Sequence, residues 1–174
     1  MARIFITGST DGLGRMAAEL LIDQGHQVVL HARNSMRAQV LATRLLSAKD
    51  IVIGDLSSIA QTREVAEQVN RLGRCDAVIH NAGVGYREAE RIETQDGLSQ
   101  VFAVNTLAPY ILTALIERPK RLVYLSSLLH RGANASLADL TWTQRPGTAR
   151  TRTPRPNCMT CYSRLLWRGG GPTC

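Results

Sequence analysis

Thr7-Gly8-Ser9-Thr10-Asp11-Gly12-Leu13-Gly14 is the stretch that decides the fold. Before it, Arg-Ile-Phe-Ile-Thr at 3–7 is a short β-branched and aromatic run that predicts a strand. After it, Arg-Met-Ala-Ala-Glu-Leu-Leu-Ile at 15–22 has the apolar spacing of a helix. A glycine-rich loop between a strand and a helix turns tightly and lets the backbone approach a pyrophosphate at the helix amino terminus. Gly8, Ser9, Thr10, Gly12, Leu13 and Gly14 are therefore candidate cofactor-binding residues. The plain alternative is a turn that merely joins strand to helix, and the surrounding pattern argues against it.

Outward from this loop the alternation repeats. Strands are predicted at 27–32, 51–54, 77–80 and 121–126, helices at 36–46 and 59–72, and a long apolar-periodic segment at 97–116. Such an order implies a doubly wound parallel sheet with helices on both faces. A chain of 174 residues is long enough for one compact core. The composition changes near Pro146. Six of the 21 basic residues, all arginine, and none of the 14 acids fall in 140–174, as do four of the six prolines and three of the four cysteines. The predicted organisation is one domain at 1–144 and an Arg/Pro/Gly-rich tail at 145–174 that lacks apolar periodicity and is expected to be disordered.

The composition also bears on partners. No apolar run reaches 18 residues and no secretory leader pattern opens the chain, so the expectation is a soluble, cytoplasmic protein without a membrane partner. The tail arginines have no interleaved aromatics and imply only non-specific attraction to nucleic acid, not a specific nucleic-acid partner. Cys158-Met159-Thr160-Cys161 is a single Cys-x-x-Cys without a second ligand pair, and no metal site is assigned to it.

Further motifs follow the strands in order. Asp55-Leu56 follows the third strand and Asn81-Ala82-Gly83 the fourth. Asn105 stands inside an apolar helical segment, in Val104-Asn105-Thr106-Leu107-Ala108-Pro109, and Ser126-Ser127 ends the fifth strand. Singly, each has a structural explanation: Asp55 as a helix cap, Asn81 as a cap of the sheet edge, Ser127 as the start of a turn. Jointly, and with three residues between Gly8 and Gly12, residues 3–142 resemble the short-chain dehydrogenase/reductase family. Within it, Leu129-His130-Arg131-Gly132 and Leu137-Ala138-Asp139-Leu140-Thr141-Trp142 look most like the retinol-dehydrogenase-like and WW-domain-oxidoreductase-like branch. The resemblance implies a Rossmann-type fold, here C-terminally incomplete. Asp55 is then expected to hold the adenine ring, Asn81-Ala82-Gly83 to stabilise the sheet beside the cofactor, and Asn105 and Ser127 to be catalytic. It also implies a homo-oligomer paired through helices flanking the active site, one of which is missing here.

Cofactor choice is read at the end of the second strand, His31-Ala32-Arg33-Asn34. Enzymes that prefer NAD place an acid there against the ribose 2′-hydroxyl. Ala32 stands in its place and Arg33 follows, which removes repulsion of a 2′-phosphate and offers a guanidinium fork, so NADP(H) is favoured over NAD(H). Arg33 as an ordinary solvated loop residue is the alternative.

The activity implied by the resemblance is hydride transfer between NADP(H) and a small-molecule alcohol or carbonyl substrate. In the family a Tyr with a Lys four residues later exchanges the proton. Residues four beyond Tyr86, Tyr110, Tyr124 and Tyr162 are Glu90, Ala114, Leu128 and Leu166, and the two lysines, Lys49 and Lys120, both precede Ser127. The expectation is an impaired or inactive enzyme; the alternative is a catalytically silent NADP-binding module or a gene remnant. Read one base earlier, the codons after Pro146 permit a Tyr and a Lys four apart, so the tail is expected to be a frameshifted catalytic segment.

Overall fold

A computed structural model describes residues 1–45, 50–85 and 92–126. Ser127, the branch motifs at 129–142, the domain limit at 144 and the disordered, frameshifted tail expected at 145–174 lie outside the described residues.

Among the described residues five strands form one sheet in the order β3-β2-β1-β4-β5: β1 (Arg3–Ile6), β2 (Gln27–Ala32), β3 (Asp50–Ile53), β4 (Ala77–His80) and β5 (Arg121–Tyr124). Every pairing is parallel; Phe5 stands between Val29 and Val78, and His80 pairs with Tyr124. Parallel strands need crossovers, and helices supply them: α1 (Gly12–Asp23), α2 (Ser35–Arg44) and α3 (Ile59–Arg71). Asn34 caps α2 by accepting from the Arg37 amide, and Ser58 caps α3 by accepting from the Gln61 amide.

Because side chains alternate across a strand, the same strands build two cores, one on each face of the sheet. Phe5, Val29 and Val78 pack with Val65 and Val69 of α3 and with Ala108, Leu112 and Ile116. Ile4, Ile6, Val28 and Leu30 pack with Ala18 of α1 and Leu41 of α2. The sheet is therefore covered on both faces, as its near-continuous apolar strands require.

The segment expected as one helix at 97–116 is interrupted. A short α4 (Gln100–Phe102) leads into a π turn at Ala103–Leu107, and α5 (Ala108–Leu115) follows. The Ala108 amide bonds the Ala103 carbonyl, five residues back. Pro109 has no amide to continue the four-residue ladder, so the register shifts just where Asn105 stands. Among the described residues no helix is long and apolar enough to cross a membrane.

Candidate functional site

The strand order reverses between β1 and β4, and the loops leaving the carboxyl ends of the strands open a cleft of about 480 Å³ there. Ligands of open α/β sheets bind at such a switch point. Gly8, Thr10, Gly12, Leu13, Gly14, Arg33, Asp55, Leu56, Asn81, Ala82, Gly83 and Asn105 all line it.

The glycine-rich loop is tied to the end of β4. Thr7 Oγ1 accepts from the amides of Asn81 and Ala82, each at 3.0 Å, and Asn81 Nδ2 donates to the carbonyls of Thr7 and Gly8, each at 3.0 Å. The two segments come so close that side chains are excluded. A Cβ on Gly14 would overlap the Asn81 amide and the Gly8 carbonyl. Gly8 has φ 64°, and a Cβ there would lie 2.9 Å from Ala82 Cα. Gly12 has φ 54° but faces open space. That gap, backed by a glycine-rich turn, is room for a pyrophosphate against bare backbone, and the residues present fit a dinucleotide. Asn81 acts here through the loop it holds.

Ser9 is the exception among the loop residues. It is fully buried and does not line the cleft; its Oγ accepts from the His31 amide at 2.7 Å and donates to the His31 carbonyl at 3.4 Å. Its side chain braces β2 and is not available to a cofactor. A short polar side chain beside a strand end bonds whichever backbone groups lie unpaired, and spacing in the sequence does not reveal which.

His31, which the motif reading passes over, is central. Nδ1 accepts from the Gly8 amide at 3.0 Å and Nε2 donates to the Gly54 carbonyl at 2.9 Å, so the ring is the neutral Nε2–H tautomer and joins the loops after β1 and β3. Burial holds its pKa below the usual histidine value, against the opposing effects of the Gly54 carbonyl and the Asp55 charge. A buried histidine at the end of an apolar strand was the only available signal.

At the outer end of the cleft, exposed Arg33 follows buried Ala32. Asp55 lines the cleft while its Oδ1 accepts from the amide and hydroxyl of Ser57, at 2.9 and 2.8 Å. It thus also shapes the turn into α3, although the cap of that helix is Ser58 and not Asp55. Arg37, not singled out by motif, lines the cleft too.

At the inner end, Asn105 is buried; its Oδ1 accepts from the Val84 amide at 2.9 Å and its Nδ2 donates to the Val84 carbonyl at 2.8 Å. The amide thereby anchors the strand-β4 loop to the π turn. Behind it, His80 Nε2 lies 3.1 Å from Thr113 Oγ1, which lies 2.6 Å from the Tyr124 hydroxyl, and the His80 and Tyr124 rings stack with centroids 4.8 Å apart. Burial lowers the His80 pKa to about 4. This chain ties β4, α5 and β5 together beneath the cleft.

Comparison with known proteins gives a consistent picture. Residues 2–120 match the family described as short chain dehydrogenase. An uncharacterized oxidoreductase of Emericella nidulans is 52% identical over 152 residues, covering 86% of this chain and 60% of its own length. The short-chain dehydrogenase ChyC of Penicillium rubens is 46% identical over 145 residues, covering 83% of this chain and 55% of its own. The chain thus spans a little over half the length of these relatives. Among solved structures, a short-chain dehydrogenase from Sphingobium yanoikuyae in complex with NADPH superposes with a TM-score of 0.62 at 26% identity, covering 74% of this chain and 55% of that one.

Proposed function

The chain belongs to the short-chain dehydrogenase family, and from that premise we propose that it binds NADP(H) in the cleft at the switch point, as the cofactor-binding part of an oxidoreductase acting on an alcohol or carbonyl. The observation that carries this is the convergence of Gly8, Thr10, Gly12, Leu13, Gly14, Arg33, Asp55 and Asn81–Gly83 on one cleft. The nicotinamide, when bound, supplies hydride chemistry. The glycine-rich loop holds the pyrophosphate, Asp55 and Leu56 border the adenine, and Arg33 binds the 2′-phosphate where Ala32 leaves no repelling acid. The NADPH found in the Sphingobium yanoikuyae structure supports the binding of a nicotinamide cofactor in this fold.

In this reading Asn105 and Ser127 serve the reacting end, Asn105 by holding the Val84 segment and a relay water, Ser127 by bonding the substrate oxygen. The second reading, a catalytically silent NADP-binding module, is favoured by a particular observation: none of the four tyrosines has Lys four residues on. Neutral hydroxyl and amide groups do not exchange a proton near pH 7 in their place.

Replacing Arg33 tests the cofactor assignment. Arg33→Asp removes a charge-assisted contact and adds a repulsive one, so NADPH binding, followed by its fluorescence, is expected to weaken by about 1–3 kcal/mol while NADH changes less. Equal losses for both cofactors would refute the assignment of Arg33 to the 2′-phosphate.

A further inference from the structure

The outer end of the cleft carries an ion pair that the cofactor reading leaves unused. Asp11 stands at the amino-terminal cap position of α1, where a carboxylate ordinarily accepts from first-turn amides, yet it makes no such bond. Its Oδ2 instead accepts from Arg37 Nη1 at 2.6 Å. Arg37 comes from the first turn of α2, where its own backbone amide is bonded to the Asn34 cap. The two side chains are 68% and 47% exposed, and both line the cleft that Arg33 lines.

An exposed pair of this kind is worth little, because water competes for both partners. A dianionic phosphate ester offers a guanidinium more: two parallel charge-assisted hydrogen bonds to a group of higher charge. Asp11 and a 2′-phosphate are therefore rivals for Arg37, and they also repel each other.

We propose that the Asp11–Arg37 pair is a specificity latch, in which the 2′-phosphate of NADP(H) draws Arg37 away from Asp11 and is held by Arg33 and Arg37 together, with Asp11 opposing. The proposal rests on the NADP(H) reading above and deepens it. A cofactor without the phosphate leaves the pair closed and gains nothing from Arg37. Asp11 is thus a negative determinant of NADP(H) affinity, and its removal strengthens binding.

The test is titration of the full chain and its variants with NADPH, NADH and 2′,5′-ADP, the last reading the phosphate without the nicotinamide. Arg37→Gln is expected to weaken NADPH and 2′,5′-ADP about tenfold, as for loss of a charge-assisted bond, and to leave NADH within about twofold. Asp11→Asn is expected to strengthen NADPH and 2′,5′-ADP by about two- to fivefold, the range of an exposed ion pair. That gain shrinks when Arg37 is already Gln, because the two residues act on each other. Equal weakening of NADPH and NADH by either variant, the signature of a pair that only braces the loop, overturns the latch. So does an unchanged preference in both. Arg33→Asp separates the two levels: if it leaves NADPH binding intact, the cofactor reading fails and the latch with it. If it weakens NADPH while the Asp11 and Arg37 variants leave the preference unchanged, the latch alone fails.

Discussion

His31 on β2 and His80 on β4 stand on the two strands that flank β1, both buried. Burial disfavours the charged ring, lowering both pKa values, that of His80 to about 4. In the unfolded chain a histidine protonates near its ordinary value of about 6.5, so below that pH the unfolded state binds more protons than the folded one. Stability is therefore complete above about pH 6.5 and falls as the pH drops from there towards about 4 for His80. Each unit of pH across that window costs about 1.4 kcal/mol for His80. Denaturant unfolding across this window should show the loss, and His80→Phe should flatten it. Phenylalanine keeps a ring against Tyr124 and leaves the bond between Thr113 and Tyr124 in place. An unchanged slope in His80→Phe would locate the acid sensitivity elsewhere. At this scale the sequence is legible where the requirement is local. The turn itself calls for Gly8 and Gly12, whose φ is positive, and the strand places Arg33 after it; Gly14 is needed because Asn81 of the β4 loop fills the space beside it. The partners of Ser9, His31 and Arg37 escaped because they lie 22 to 26 residues away, where spacing gives no sign of who meets whom, and Ser9 was for that reason assigned to the cofactor.

Elements were read more reliably than their details. The apolar runs predicted β2 and β4 with the limits found, and β1, β3 and β5 to within two residues. The reason is that a strand buried on both faces has to be apolar throughout. The π turn at Ala103–Leu107 was not legible, because an apolar helical period looks the same whether the ladder closes over four residues or five. Its effect is to present Asn105 to Val84, whose amide and carbonyl depend on that one side chain. Asn105→Ala strands both groups in a partly buried place, and urea unfolding should show a loss of about 2–4 kcal/mol. Asn105→Asp keeps an acceptor for the Val84 amide but sets a carboxylate against its carbonyl, so it is expected to be no better than alanine. An alanine variant within about 0.5 kcal/mol of the native chain, the range of an ordinary surface change, would remove Asn105 from the structural account.

For the whole molecule, reversal of strand order between β1 and β4 gathers loops from Gly8 to Ser126 into one cleft. Parallel alternation made that architecture legible, and the motifs after each strand became meaningful because the strand ends share one edge. The expected reach of the chemistry is narrower. With Asn105 and Ser127 but no tyrosine paired with a lysine, the 174-residue chain is expected to bind NADPH and to leave a panel of carbonyl compounds unreduced. General acid–base catalysis of the missing kind typically supplies about 10²–10⁴-fold. If the frame is corrected after Pro146, carbonyl reduction should appear. Turnover by the uncorrected chain that Ser127→Ala abolishes would mean that another residue donates the proton.

Calorimetric titration of the native chain with NADPH and, separately, with NADH tests the cofactor site most directly. Saturation at one site per chain is expected, with NADPH bound at least about tenfold more tightly, as for a charge-assisted contact to the 2′-phosphate. Absence of binding, or NADH bound as tightly as NADPH, would contradict the NADP(H) assignment.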